Sequence, residues 1–364
     1  MGMDNLLTVR CMEAIPDLSP LPCLPDLTEL DMSSQRIKSY PVQDLAPISG
    51  LSALSNLRIG NLEGVTSLSP ISCLSALTAL DMTFCSGIQD LIPLSGLPLS
   101  SLNIGGSKGI MIDLTPLSGL SALTTLSMWG CERISDLGPL RDLTALTFLN
   151  ISDCGLISSL VALSGLSGLS DLNLSGCCCV SDLAPLSGLT VLLTLNINYC
   201  VGVPNLDPLS DLSSLTDLSM TNCGRIRDLT PLSGLSSLSI LDVSYCRGVF
   251  SLTPLSGLAA LSILNISNCG SVRDLDPLSG LSSLAYLDAA SCGRIFDLNP
   301  LSGLASLGHL DISDWDAITD LSPLSRLSAL STLVMMGCDS ITDLTPLSGL
   351  TSLTHLDIPD SCEA

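Results

Sequence analysis

Apolar residues in this chain recur in a frame of 23 positions, longer than any helix or strand period. The frame is easiest to follow in the segment "DLxPLSGL". The residue before its first Leu is Asp44, Ser67, Asp90, Asp113, Asp136, Ser159, Asp182, Asn205, Asp228, Ser251, Asp274, Asp297, Asp320 and Asp343, each 23 residues after the one before. The step from Asp17 to Asp44 is longer, at 27. Self-similarity at such a period signals stacked repeats and overrides the prior of about 150 residues per domain. The chain therefore reads as one array, with an N-terminal flank at 1–16, an irregular first repeat at 17–43 and regular repeats over 44–364.

Within a unit the frame is LxxLx(I/M/V)xxCxxIxDLxPLSGLxx, as at Leu215, Leu218, Met220, Cys223, Ile226, Asp228, Leu229, Pro231, Leu232, Gly234 and Leu235. Its first part alternates apolar and polar residues, as a strand with one buried face must. The Pro and Gly that follow end the strand. Pro fills its column in fourteen of fifteen units, Ala162 being the exception. Thr230-Pro231 reads as a capping Thr and a Pro that begins a single helical or 3₁₀ turn. No unit can bury its leucines alone, so stacking sets Leu218 between Leu195 and Leu241, about 4.8 Å from each. Strands repeated in one direction pair in parallel through right-handed crossovers. The predicted fold is thus an α/β solenoid, right-handed, with about 15 strands in a parallel sheet on the concave face and short turns on the convex face. The unit around Leu97 is one residue short before its strand, and the loop at 105–113 is one residue longer than its equivalents, which restores the register. A local bulge is expected there.

These residues resemble a leucine-rich repeat protein. LxxLxLxxC is similar to that family's strand signature, with Cys where Asn is commoner. Ile341-Thr342-Asp343-Leu344-Thr345-Pro346-Leu347 is similar to the internalin-like class of bacterial surface proteins. The 23-residue unit with Cys resembles still more closely the expression-site-associated leucine-rich-repeat proteins of trypanosomes and related protists. The resemblance covers residues 17–364. It implies the solenoid fold and a concave face that binds another protein.

Composition narrows the partner. Lys and Arg number 13 against 35 Asp and Glu, for a net charge of −22, while 46% of the chain is hydrophobic. So much apolar material excludes a disordered acidic chain. The charge argues against nucleic acid or an anionic membrane as the main partner, because both select basic surfaces. The sequence shows neither an 18-residue apolar run nor a signal peptide. Together with 16 Cys, this points to a reducing, cytoplasmic setting. The C-terminus stops directly after a strand, so a monomer is expected unless that open end pairs with a partner chain.

Ten Cys share one column: Cys85, Cys131, Cys154, Cys177, Cys200, Cys223, Cys246, Cys269, Cys292 and Cys338, with Gln35, Leu62, Ser107, Trp315 and Ser361 as substitutes. A small residue with a weak S–H donor suits the point where the chain leaves the sheet. Disulfides between neighbours are the second reading, although parallel Cβ vectors make them awkward. A zinc site is the third, although a linear column spreads its ligands. Asp fills two further columns. The one before "LxPL" is expected to accept backbone N–H groups at the turn. The other comprises Asp31, Asp81, Asp242, Asp288, Asp311 and Asp357 interspersed with Asn, and projects from the concave face. Its members are expected to hydrogen-bond along the sheet. Calcium bridging Asp288 and Asp311 is the rival reading. The two His, His309 and His355, lie two units apart, about 10 Å, too far for a shared ligand or relay. No catalytic residue, metal site or cofactor is expected.

Six of the ten aromatics, Phe84, Trp129, Phe148, Tyr199, Tyr245 and Tyr286, are read as projecting from strands. Ile240, Ile263, Tyr286 and His309 fall in one row, with Tyr245 nearby. The loops beyond carry Arg225, Arg227, Arg247, Arg273 and Arg294. An apolar and aromatic patch rimmed by Arg has the composition of an interface hot spot. The plainer reading is a β-sheet surface beside solubilising Arg. The function expected is a non-catalytic protein-interaction scaffold. Alternatives are a surface adhesin of internalin type, or a substrate-recognition subunit such as that of a ubiquitin ligase.

Overall fold

The alternating part of each unit is long enough for three strand residues, and the Pro that follows admits one 3₁₀ turn. Both form throughout the computed structural model, which describes residues 8–10, 18–33, 42–107, 113–292 and 295–358. The chain divides into two compact units, Met1–Cys179 and Val180–Ala364. The first contains β1 (Thr8–Arg10), β2 (Glu29–Asp31), β3 (Asn56–Arg58), β4 (Ala79–Asp81), β5 (Ser101–Asn103), β6 (Thr125–Ser127), β7 (Phe148–Asn150) and β8 (Asp171–Asn173). The second contains β9 (Thr194–Asn196), β10 (Asp217–Ser219), β11 (Ile240–Asp242), β12 (Ile263–Asn265), β13 (Tyr286–Asp288), β14 (His309–Asp311), β15 (Thr332–Val334) and β16 (His355–Asp357). Within each unit every strand pairs in parallel with the next in sequence. β1 lies in the stretch that the repeat frame leaves as a flank. It pairs with β2 from Thr8↔Glu29 to Arg10↔Asp31.

Register follows from the leucines. Leu218 faces Leu195 and Leu241, and all three are fully buried. The same inward stack takes in Met220, Cys223, Ile226, Leu229, Leu232 and Leu235, each at most 1% exposed. Sliding a strand by one residue would turn its central Leu outward, so the stack fixes the pairing.

The Asp column accepts backbone N–H groups at the turns, as expected, but Thr230 has a different place. Thr230 does not cap; it is the first residue of the 3₁₀ turn Thr230–Leu232, after Leu229. Its N–H donates to Oδ1 of Asp228 at 2.8 Å. The same bond recurs from Ala46 to Asp44, Thr115 to Asp113, Asn299 to Asp297 and Thr345 to Asp343, each at 2.8 Å. A side chain two residues upstream thus serves the first N–H, and Pro, which has none, takes the second position. The hydroxyl and N–H of the residue two on also donate to Asp113, Asp228 and Asp343, holding these carboxyls below their usual pKa.

The short unit around Leu97 produces no bulge in the sheet. β5 keeps unbroken register with β4 and β6. The missing residue is absorbed at the turn instead, where Ser95 is extended (ψ 124°) and Gly96 takes φ +86°. Equivalent Ser residues elsewhere, such as Ser118 and Ser233, are helical with ψ −22°. A turn yields more readily than a stacked leucine column. Of the compensating loop, residues 108–112 lie outside the described residues.

The Cys column supplies the second set of bonds between coils. The N–H of Cys223 donates to the Met220 carbonyl oxygen at 3.3 Å. The thiol of Cys246, one coil on, donates to the same oxygen at 3.1 Å. Val243 receives the Cys246 N–H and the Cys269 thiol in the same way, and Ile266 those of Cys269 and Cys292. Substitutes that can donate do so: Ser107 Oγ to Met82 at 3.2 Å and Trp315 Nε1 to Ala289 at 2.8 Å. Gln35 and Ser361 lie outside the described residues. All fourteen described Cys are free thiols. Burial pushes the column up, to about 11 for Cys85, Cys154, Cys246 and Cys338 and about 12 for Cys131 and Cys292.

In urea unfolding, Leu218→Ala should cost about 2–5 kcal/mol, because rigid neighbours leave a cavity. Ser236→Ala, on the exposed return segment, should stay within about 0.5 kcal/mol. The thiols make the fold alkali-sensitive. Their folded pKa lies above the unfolded value, so the native state retains protons that the unfolded chain releases. The stabilisation is complete below the unfolded value, near 8.5, and is lost as pH rises through the folded values of about 11 to 12. The thermal midpoint should therefore fall between pH 8 and pH 10.5, and a flat profile would contradict the burial of the thiols. At pH 8 a thiol reagent should modify exposed Cys23, Cys73, Cys178 and Cys179 well before the column.

Candidate functional site

From β2 to β15 each three-residue strand buries its central Leu and turns its first and third residues outward. Two outward columns result, and in the second unit they differ sharply. The first holds Ile240, Ile263, Tyr286 and His309, paired in that order across β11 to β14. Ile263 is 38% exposed. Tyr286 and His309 stack, with ring centroids 4.2 Å apart and planes 6° from parallel. Burial lowers the His309 pKa against the opposing effect of Asp311 and Asp288. Burial raises that of Tyr286, and Asp288, Asp311 and Asp242 add to it.

The third residues of β11 to β14 are Asp242, Asn265, Asp288 and Asp311. Their recurrent bond is not along the sheet, as the sequence had suggested, although Asp288 also takes a side-chain bond from Ser267 on the preceding coil. Each Oδ1 accepts the N–H two residues on: Ser244 at 2.8 Å, Ser267 at 2.9 Å, Ala290 at 3.1 Å and Ser313 at 2.8 Å. The side chain satisfies the first amide after the strand, where the ladder ends. Asp288 is pushed up, first by burial and then by the neighbouring Asp311. Among the described residues no group of three or more metal-ligating side chains converges.

The aromatics separate into two kinds. Phe148 and Tyr286 stand on strands. Phe84, Trp129, Tyr199 and Tyr245 do not, because the strands are too short to reach them. They lie in the turn that follows. Phe84, Tyr199 and Tyr245 have φ of 57°, 60° and 58° at a position where other coils use Gly106, Gly130, Gly176, Asn222 or Gly337. The left-handed conformation costs an L-residue about 1–2 kcal/mol. Phe84 and Trp129 meet edge to face at 5.1 Å. A Cβ on Gly105 would come within 2.1 Å of Trp129, and one on Gly106 within 2.6 Å of Phe84.

The described Arg residues of the expected rim lie in the loops after the strands, as expected. Arg225, Arg227, Arg247 and Arg273 are exposed in turns beyond the Cys column, and Arg294 lies outside the described residues. Among the described residues none of these four forms an ion pair. Sequence reasoning overlooked their companions. Phe250 and Phe296 occupy the column of Arg227 and Arg273, giving Arg-Phe-Arg-Phe on four successive coils, with the Phe 65% and 68% exposed. Reading that column one position at a time would have shown the alternation.

Comparison with solved structures places this geometry. Internalin InlF from Listeria monocytogenes superposes with a TM-score of 0.65 and 25% identity, over 90% of this chain and 86% of that one. A leucine-rich repeat protein of Leptospira interrogans gives 0.59 at 17% identity, over 89% and 88%. The fold is that of a leucine-rich repeat solenoid. TLR13 in its complex with ssRNA13 shares the repeat fold at a TM-score of 0.64 and 20% identity, over 93% of this chain and 59% of that one. No family model matches the chain, and neither does any curated protein sequence.

Replacing Tyr245 by Gly removes the left-handed penalty and adds glycine's entropy cost, so Tyr245→Gly should stabilise the fold by about 0.5–1 kcal/mol. Denaturant midpoints would register the gain. A loss of that size would mean that the ring packs usefully in the isolated chain.

Proposed function

We propose that this chain is a non-catalytic protein-interaction scaffold that holds its partner on the outward sheet face of β11 to β14. The observation that carries this reading is the row Ile240–Ile263–Tyr286–His309, unbroken across four paired strands. Elsewhere the outward columns are mainly small and polar residues such as Thr125, Ser127, Thr194 and Asn196. A preorganised row of large side chains needs little ordering on binding, and aromatic anchors dominate interface energetics. A binding role, not a catalytic one, also suits the histidines. His309 is taken up in a ring stack, and Nε2 of His355 lies 3.2 Å from Asp357. The repeat fold alone does not choose the partner's chemistry, since TLR13 carries single-stranded RNA on a related frame. Side-chain decoration does.

The test is affinity capture by the intact chain, compared with Ile263→Ser, Tyr286→Ala and a Phe148→Ala control in the first unit. Partners of this face should bind at least about tenfold more weakly to the first two variants, with the control unaffected. Equal retention by all three would remove the row from consideration.

The free thiols, four of them exposed, support a cytoplasmic setting. The likeness to an internalin favours a second reading, a surface adhesin. Labelling intact cells with a membrane-impermeant reagent separates them: a labelled chain is an adhesin, and an unlabelled one that is labelled after lysis is not.

A further inference from the structure

The face just described is anionic as well as apolar, and nothing on it compensates the charge. The outward residues of β10 to β14 are Asp217 and Ser219, Ile240 and Asp242, Ile263 and Asn265, Tyr286 and Asp288, and His309 and Asp311. No Lys or Arg occupies an outward position on any strand from β9 to β16. Asp288 and Asp311 are paired neighbours, each anchored through Oδ1 by the backbone N–H two residues on. They stand two residues along the same strands from the stacked rings of Tyr286 and His309. Two fixed carboxylates beside an electron-rich ring stack form a receptor for a cationic side chain. A planar guanidinium suits it best, because it can lie against a ring and fork to both carboxylates. Ile240 and Ile263, on the adjoining strands, offer an apolar seat for a second side chain.

We propose that this face takes an extended protein segment in which an Arg or Lys is spaced from an apolar residue to match Tyr286–His309 and Ile240–Ile263. The proposal rests on the reading that the row is the binding face, and adds the chemistry of what it binds. The spacing follows from the coil pitch. The two halves of the row are two strand spacings apart, about 10 Å, and an extended chain advances about 3.3 Å per residue. The cation and the apolar residue are therefore about three positions apart. The occupant is basic because the body is not: like charges already crowd the face, with burial and Asp242 raising the pKa of Asp217 just as burial and Asp311 raise that of Asp288. An acidic segment, or a phosphate backbone, would add to that repulsion.

The experiment is selection of randomised dodecapeptides displayed on phage against the full chain, with rebinding to three variants. Asp288→Asn and Asp311→Asn, combined, keep the amide oxygen that accepts the turn N–H, and the repeat itself uses Asn here at Asn103, Asn150, Asn173, Asn196 and Asn265. The fold should tolerate them. Tyr286→Ala tests the row, and Phe148→Ala is the control. The expected outcome is enrichment of Arg or Lys about three residues from an apolar residue. Binding should weaken at least about tenfold in the double Asn variant and in 0.5 M NaCl, and also in Tyr286→Ala. Peptides lost on Tyr286→Ala but lacking a cation, or indifferent to the Asn variant, would overturn the cationic chemistry and leave the face standing. Peptides indifferent to both changes, or no peptides at all, would overturn the proposal and count against the face itself.

Discussion

A 23-residue coil has too little side-chain volume to enclose its own leucines, and every other feature follows from the way that deficit is met. Each coil closes against the next, so apolar burial is a property of neighbours. Stacking of identical side chains forces the strands into parallel register, and a parallel register leaves two of every three strand residues outside. The outward face is thus a by-product of core formation. Its identity is unconstrained by packing, which is why a row as large as Ile263–Tyr286–His309 can replace small polar residues without disturbing Leu264, Leu287 or Leu310 beneath it.

Polar bonds between coils are organised by the same repetition. In coils such as those of Met220, Val243 and Ile266 a carbonyl just after the strand receives an N–H from its own coil and a thiol from the following one, so the buried backbone group is satisfied twice. The thiol accomplishes this without a charge and with little volume. Where the column departs from Cys, a hydroxyl at Ser107 or an indole at Trp315 keeps the bond. Leu62 alone among the described substitutes lacks a side-chain donor.

Most of the architecture was legible because a repeat multiplies each weak signal. Alternation at a single Leu218–Met220 would be ambiguous; the same alternation recurring every 23 residues is not. The Asp before each turn was read correctly as an acceptor, but Thr230 was not a cap, since local propensity cannot tell which of two adjacent polar residues reaches the N–H first. The missing residue near Leu97 was expected to distort the sheet and instead distorted the turn, because sequence does not display the relative stiffness of the two. For the candidate site, the row was legible from register alone. The Arg residues were legible as loop residues, but the placement of Tyr245 was not, because the point at which a three-residue strand ends is fixed by its neighbours.

The contact between Phe84 and Trp129 has a mechanical consequence. Repeat arrays are close to one-dimensional chains of nearest-neighbour couplings, which fray by unzipping one coil at a time. These two rings belong to coils separated by a third, and they meet above the bare backbone of Gly105 and Gly106. Opening any of the three coils must break the clasp, so this stretch melts as a triplet. It gives the first unit a local block of cooperativity that the bare periodicity of the sequence would never supply.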